Sequence, residues 1–335
     1  MKAWAVREPG PIDSGPLELI EREEPQPGPG EVRVRVSVCG VCRTDLHLAE
    51  GDLPPHGHEV VVGHEIVGVV DMLGDGASRL ALGQRIGIAW LRWTDGVCRF
   101  CRRGDENLCV DPRFTGWDAD GGYAQYAVVD ERYAYELPEQ FSDEKAAPLL
   151  CAGIIGYRAL RSSELPAGGN LGIYGFGGSA HLAAQVAMAE GAAVFVMTRS
   201  AEDRRLATEL GAAWVGDTYD RPPEPVDAAI TFAPAGEIVP VAMEALDRGA
   251  TLAVAGIHLT DIPALRYQED LFQERRLRSV TANTRHDGEE FLRIAARIGI
   301  QVETHPYELD RADDALRDLA HDRFSGAAVL RMPPD

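Results

Sequence analysis

Residues 171–198 constrain this chain more than any other stretch. Leu171-Gly172-Ile173-Tyr174 reads as a short strand and Gly175-Phe176-Gly177-Gly178-Ser179-Ala180 as a glycine-rich turn. Residues 181–190 then read as an alanine-rich helix and 193–197 as a second strand. A strand, a turn, a helix and a strand in that order form a βαβ unit. The turn follows G-x-G-x-x-A, from Gly175 through Gly177 to Ala180. By itself that string is weak. Between a strand and a helix it is a dinucleotide fingerprint, because glycines let the backbone approach a pyrophosphate and the helix N-terminus attracts the anion. The alternation continues, with helical patterns at 204–210 and 238–246 and strands at 228–232, 251–255 and 278–282. Strands alternating with helices predict a parallel, doubly wound α/β sheet over residues 152–283.

The rest of the chain is of a different kind. With 335 residues there is enough for a second core. Hydrophobic content of 45% and charged content of 26% are those of a globular protein. No run approaches the roughly 18 apolar residues of a membrane span, and no early segment resembles a signal peptide. These features lead us to expect a cytoplasmic protein. The formal net charge of -20 argues against nucleic acid and anionic membrane as partners, since both would be repelled. Six cysteines in a chain of this length without a secretory segment point to thiol ligands or buried thiols rather than disulfides.

Residues 1–151 and 284–335 are expected to form a mostly-β domain. The alternation in 31–38 predicts a half-buried strand that runs on through Cys39, making Cys39 a packed thiol. Cys42-Arg43-Thr44-Asp45-Leu46-His47 follows as a turn into a short helix. Gly-His-Glu occurs twice, at 57–59 and 63–65, but only the second leads into a strand, Ile66-Val67-Gly68-Val69-Val70. His64 is therefore the candidate ligand, and His56 and His58 read as solvated loop histidines. Further strands are expected at 86–90, 121–129 and 327–330, a helical pattern at 141–160 with Cys151 inside it, and two amphipathic helices in the tail from about 287. A catalytic zinc site needs three protein ligands and one open position. Cys42, His64 and Cys151, two thiolates and an imidazole on three different elements, suit that borderline-soft ion. Residues 95–109 have too little apolar content to pack alone, and such loops are often held by metal.

Six motifs occur in order: G-V-C-R-T-D-L-H, G-H-E-I-V-G, C-R-F-C-R-R-G-D-E-N-L-C, G-G-Y-A-Q-Y, L-C-A-G and G-F-G-G-S-A. Over nearly its whole length the chain thereby resembles the zinc-containing medium-chain alcohol dehydrogenases. The resemblance implies a Rossmann domain joined to a GroES-like catalytic domain, and hydride transfer between a small alcohol or aldehyde and a nicotinamide cofactor. It assigns Cys42, His64 and Cys151 to a catalytic zinc, with Glu65 behind it and Asp45 orienting His64. Zinc would act as a Lewis acid on the alcohol oxygen. Thr44 would pass the alcohol proton by way of the cofactor ribose to His47, a hydroxyl being both donor and acceptor. Arg43 would meet the pyrophosphate. Gly175, Gly177, Gly178, Ser179, Ala180, Thr198, Arg199, Phe232, Ala255 and Arg285 would contact the rest of the cofactor, Arg285 because Asn283-Thr284-Arg285 resembles a cofactor-contacting segment. Family members are homodimers or homotetramers, and the same is expected here.

The chain departs from the family pattern at several points. Asp95 stands where relatives with a structural zinc carry the first of four cysteines, while Cys98, Cys101 and Cys109 keep their places. Asp oxygen can ligate zinc, so a second, structural site is expected. Ile155 falls where many members carry a small hydroxylated residue beside the nicotinamide. Trp90 and Leu91 fall where the family lines its substrate pocket, and Trp117, in the segment before G-G-Y-A-Q-Y, is expected to reach it, suggesting a narrow apolar site for small primary or aromatic alcohols. Units that prefer NAD place Asp or Glu after the second strand; here the sequence is Thr198-Arg199-Ser200, so NADP(H) is expected over NAD(H). Two other readings compete. Zinc-free quinone and enoyl reductases share the fold but lack the ligand set, and a non-catalytic nucleotide- or zinc-binding protein has no use for a Thr44/His47 relay.

Overall fold

The computed structural model describes residues 1–54, 56, 59–324 and 326–333. Two compact units emerge: Met1–Cys151 with Ala282–Arg293 and Val302–Asp335, and Ala152–Thr281 with Ile294–Gln301.

The first unit is built on the strand Glu31–Val41, in which Val32, Val34, Val36 and Val38 are buried as the alternation requires. It pairs antiparallel with Ile66–Leu73, Tyr126–Asp130 and Ala327–Arg331. Arg85–Ile88 and Ala134–Glu136 extend the sheet on one side, and Thr304–Glu308 closes the other, parallel to Ala327–Arg331. Lys2–Val6, Leu17–Glu21 and Val60–Val61 form a smaller antiparallel sheet. The register Cys39↔Ile66 brings the end of one strand against the start of its neighbour. His64 and Glu65, just ahead of Ile66, therefore lie beside Gly40–Cys42, and the Gly40 N–H donates to the Glu65 carbonyl at 2.9 Å. Only glycine fits at position 40, since a Cβ would lie 1.8 Å from Glu65 Oε2.

The second unit is a parallel sheet whose strands are ordered Trp214–Gly216, Ala193–Met197, Asn170–Tyr174, Val226–Thr231, Leu246–Val254 and Arg276–Ser279. In chain order that is 3-2-1-4-5-6, the dinucleotide-binding arrangement, with its ligand crevice where the first and fourth strands diverge. Gly175 leaves the first strand at that point. Its φ of +82° calls for glycine, and a Cβ there would sit a tight 3.1 Å from the Ala233 nitrogen.

Several expectations are corrected. The stretch 141–160 is not one helix: Asp143–Ala146 tightens into a 3-10 turn, Ala147–Leu150, and a second helix, Ala152–Ser162, begins afterwards. Pro148, which lacks an N–H, sits in the tightened turn. Cys151 occupies the break, with φ −126° and ψ −71°. Residues 121–125 are irregular and the strand is Tyr126–Asp130. Residues 294–301 group with the nucleotide unit, where Gln185 Nε2 donates to the Gln301 carbonyl at 2.9 Å and the Gln301 N–H donates to Gln185 Oε1 at 2.7 Å. Among the described residues no helix is long and apolar enough to cross a membrane.

Candidate metal centres and nucleotide turn

Cys42 ends the central strand and opens the helix Arg43–Glu50. Its backbone N–H donates to Asp45 Oδ2 at 2.9 Å, closing a capping box across the first turn. The thiol is thereby aimed at two others: Cys42 Sγ lies 3.8 Å from Cys151 Sγ, which lies 3.3 Å from His64 Nε2. Ligand atoms of Cys42, His64, Glu65 and Cys151 all fall within 4.8 Å of one another. His64 is fully buried, and its other nitrogen, Nδ1, faces Asp45 Oδ1 at 3.1 Å. That contact puts the Nδ1 proton toward the carboxylate and leaves Nε2 as the ligand lone pair. Cys39, the other half of the C-x-x-C, is a buried thiol within the strand Glu31–Val41, past a register shift between Val36 and Val38.

The titrations reflect the crowding. The hydrogen bond from Cys151 holds the Cys42 thiol well below its ordinary range, against burial and with help from His64. That bond and burial push Cys151 up. Burial is the largest single influence on His64 and depresses it, but the Asp45 carboxylate and Cys42 together outweigh it and hold the imidazole well above its ordinary value. Burial, and then the charge on Cys42, push Glu65 up. Glu65 Oε2 is buried without a hydrogen-bond partner among the described residues. An orphaned carboxylate oxygen beside two thiols and an imidazole fits a divalent cation, and the soft donors favour zinc.

A second cluster lies in the loop. Asp95, Cys98, Cys101 and Cys109 bring four ligand atoms within 4.8 Å. Asp95 Oδ1 accepts the N–H groups of Val97 and Cys98, both at 2.9 Å, and these bonds hold its carboxyl at about 2. Burial pushes the Cys101 thiol up to about 12. The Asp95 N–H donates to Cys109 Sγ at 3.4 Å, and the Cys101 N–H to Cys98 Sγ at 3.5 Å. Backbone N–H groups aimed at sulfur stabilise thiolates, so this donor set also fits zinc.

Beside the first centre, Thr44 is buried with its hydroxyl 3.7 Å from Cys42 Sγ. His47 lies one helical turn on, on the same face, its Nδ1 2.8 Å from Asp52 Oδ2. An aromatic wall leads away from the ligand: the His64 ring meets Trp90 edge-on at 4.9 Å, and Trp90 stacks on Phe114 at 5.0 Å and on Trp117 at 5.8 Å. His56 stacks on Trp117 at 4.2 Å and pairs with Asp118 at 2.6 Å. In the nucleotide unit, Gly177 caps the helix Gly178–Ala189, whose first turn holds Ser179 and Ala180. Thr198 follows the second strand, buried, with its hydroxyl 3.4 Å from Asp203 Oδ2; Arg199 is exposed. Phe232 and Ala255 follow the fourth and fifth strands, where ligands of such sheets bind.

Residues 28–139 match the model of the alcohol dehydrogenase GroES-like domain, and residues 178–297 that of the zinc-binding dehydrogenase domain. The chain is 58% identical over 335 residues to a probable alcohol dehydrogenase, AdhA, of Mycobacterium tuberculosis (strain CDC 1551 / Oshkosh), covering 98% of this chain and 97% of that one. The chain belongs to the zinc-dependent medium-chain dehydrogenase/reductase family. An alcohol dehydrogenase of Geobacillus stearothermophilus is 33% identical over 95% of this chain and 96% of its own. Among solved structures, a cinnamyl alcohol dehydrogenase from Sorghum bicolor superposes with a TM-score of 0.89 at 26% identity, covering 98% of this chain and 97% of that one. A cobalt- and zinc-bound thermostable alcohol dehydrogenase from Pyrobaculum aerophilum superposes with 0.90 at 25% identity, covering 99% of each.

Three of the residues named from the sequence have partners of their own in this medium-chain fold. The Arg285 guanidinium forms a two-pronged pair with Glu106, with bonds of 2.7 to 3.1 Å, and lies over the Tyr133 ring. It ties the cysteine loop to the helix Arg285–Ile298. Leu91 is fully buried in the core, paired in register with Phe114 of the aromatic wall. Arg43 is half exposed and pairs with Asp322. Sequence reasoning missed Phe114, Asp118 and Asp203. His58 lies outside the described residues.

Proposed function

We propose that this protein is a zinc-dependent alcohol dehydrogenase that moves a hydride between a small alcohol or aldehyde and a nicotinamide dinucleotide, with NADP(H) preferred. The observation that carries the reading is the convergence of Cys42, His64 and Cys151 beside the unpartnered Glu65 oxygen. When bound, zinc supplies Lewis-acid polarisation of the substrate oxygen and the nicotinamide gives or takes the hydride. The chain's own residues do the rest. Asp45 fixes the His64 ring, the buried Thr44 hydroxyl takes the alcohol proton, and His47, paired with Asp52, passes it to solvent. The wall of Trp90, Phe114 and Trp117 suits a planar or aryl side chain. A turnover screen over aliphatic, aryl and polyol alcohols with both cofactors tests the assignment; no oxidation of any alcohol would overturn it.

NADP(H) preference rests on the absence of an acid after the strand Ala193–Met197 and on the exposed Arg199. Asp203, beside Thr198, opposes a 2′-phosphate, so Arg199 must outweigh it. A charge-assisted bond contributes about 1.5–3 kcal/mol, which corresponds to a preference of roughly ten- to a hundredfold. The expected result is a kcat/KM ratio for NADPH over NADH well above one, lowered by Arg199→Ala and raised by Asp203→Asn. A parent ratio at or below one would reject it.

Asp95, Cys98, Cys101 and Cys109 hold a second zinc that stabilises the loop. Metal analysis should return close to two zinc per chain. Cys98→Ser should remove one and lower the melting temperature, and Asp95→Cys should be tolerated because thiolate is the softer donor. A stoichiometry of one that Cys98→Ser leaves unchanged is the contrary result.

A further inference from the structure

The helix Gly178–Ala189 carries a histidine in its first turn that none of the steps above uses. His181 is 1% exposed, on a helix in which Ala180, Leu182, Ala183 and Ala184 are also buried. A buried imidazole needs a reason, because burying a polar ring costs free energy unless it is hydrogen-bonded. Its Nδ1 lies 3.3 Å from the carbonyl of Gly177, which also accepts the His181 backbone N–H at 3.1 Å. Since a carbonyl can only accept, Nδ1 carries the proton and donates. The other nitrogen, Nε2, is buried with no hydrogen-bond partner among the described residues. The ring is therefore held as a neutral Nδ1–H tautomer. Burial depresses it to about 4, although the carbonyls of Gly177 and Gly178 pull the other way.

The Gly177 carbonyl is one end of a trans peptide whose other end is the Gly178 N–H. In a planar trans peptide the two point in opposite directions. Gly178 is the first residue of the helix, so its N–H has no partner within the helix and is free to meet an anion. A donor that fixes the carbonyl fixes the N–H, and with glycines on both sides the plane is otherwise held only by the helix's own bond from the His181 backbone N–H. We propose that His181 is a positioning residue of the phosphate-binding turn: by holding the Gly177 carbonyl it aims the Gly178 N–H at the cofactor pyrophosphate. This rests on the reading above that a dinucleotide binds at this turn. A neutral donor serves here because the buried Nε2 has no partner among the described residues that could satisfy it if it were protonated.

The test compares the zinc-loaded parent with His181→Leu, which keeps the bulk and loses the donor, and His181→Asn, whose amide N–H can replace Nδ1–H. The probes are ADP-ribose, which keeps the pyrophosphate, and adenosine, which lacks it, titrated by calorimetry. His181→Leu should weaken ADP-ribose by roughly three- to tenfold, one neutral hydrogen bond's worth. Adenosine affinity should be unchanged, and His181→Asn should recover most of the loss. Equal ADP-ribose affinity in His181→Leu and parent, or equal losses for both probes, would overturn the proposal, as would an Asn variant no better than Leu. If His181→Leu does not fold, nitrogen NMR of histidine-labelled parent decides: a bare Nε2 and a protonated Nδ1 at neutral pH support it, and an Nε2–H tautomer rejects it. A parent that binds neither probe nor NADPH overturns the cofactor assignment itself, which no His181 variant is needed to show.

Discussion

His64→Ala should empty the catalytic zinc site and reduce alcohol turnover by about three orders of magnitude or more, while NADPH still binds. Loss of a Lewis acid removes several kcal/mol of stabilisation of the developing charge, and each 1.36 kcal/mol is about tenfold in rate. The dinucleotide contacts belong to other residues, so its dissociation constant should move little. Cys151→Ser is the companion variant. Cys151 sits in the break between two helical segments rather than inside one, so its replacement disturbs less packing than the loss of the fully buried His64. A histidine of the other Gly-His-Glu provides the control: His58→Ala should keep its zinc and its activity. If His64→Ala retains most of its turnover, or His58→Ala loses it, the ligand assignment fails.

Where the parts of the candidate metal centre lie follows in part from local pattern, while the ligand set as a whole comes from the family resemblance. The strand runs on through Cys39, which is buried in the sheet, and ends before Cys42, which caps the next helix. The strand that follows Glu65 distinguishes His64 from the earlier loop histidines, and the register Cys39↔Ile66 is what turns that distinction into proximity. The glycine turn was legible for the same reason, since the positive φ at 175 calls for glycine. What was not legible depends on long-range pairing. Thr304–Glu308 contains Pro306, which argues against a strand until the sheet shows it to be an edge, where a missing N–H is tolerated. Trp214–Gly216 is too short to show a period. Phe114 joins the aromatic wall because its two-residue strand pairs with Leu91–Trp93, and Arg285 meets Glu106 across 179 positions. Neither contact leaves a mark in the local pattern.

Asp45 is where fold and site share one side chain, and its replacement should affect both. The carboxylate is fully buried and faces four donors: the N–H of Gly63 at 3.1 Å, the N–H of Cys42 at 2.9 Å, the Tyr123 hydroxyl at 3.3 Å and His64 Nδ1 at 3.1 Å. Asp45→Ala leaves those donors buried without an acceptor. Each such loss costs about 1–3 kcal/mol, so the variant should lose several kcal/mol of stability and in part fail to fold. Asp45→Asn keeps the shape but turns one acceptor into an NH₂ group, which must face either the backbone donors or the imidazole N–H. Its stability loss should be smaller, and the imidazole should lose the partner that fixes its orientation. Removing the partner of a ligating histidine typically weakens metal binding by about 10–100-fold. Tyr123→Phe removes one bond of the four and leaves the His64 contact intact, so it should cost about 1 kcal/mol and spare zinc affinity. Chelator competition reads the metal term and denaturant unfolding reads the stability term. An Asp45→Asn protein that holds zinc as tightly as the parent would show that His64 is oriented by the sheet alone. A Tyr123→Phe protein that loses zinc equally would show that the whole buried network, rather than the Asp45–His64 contact, sets the metal affinity.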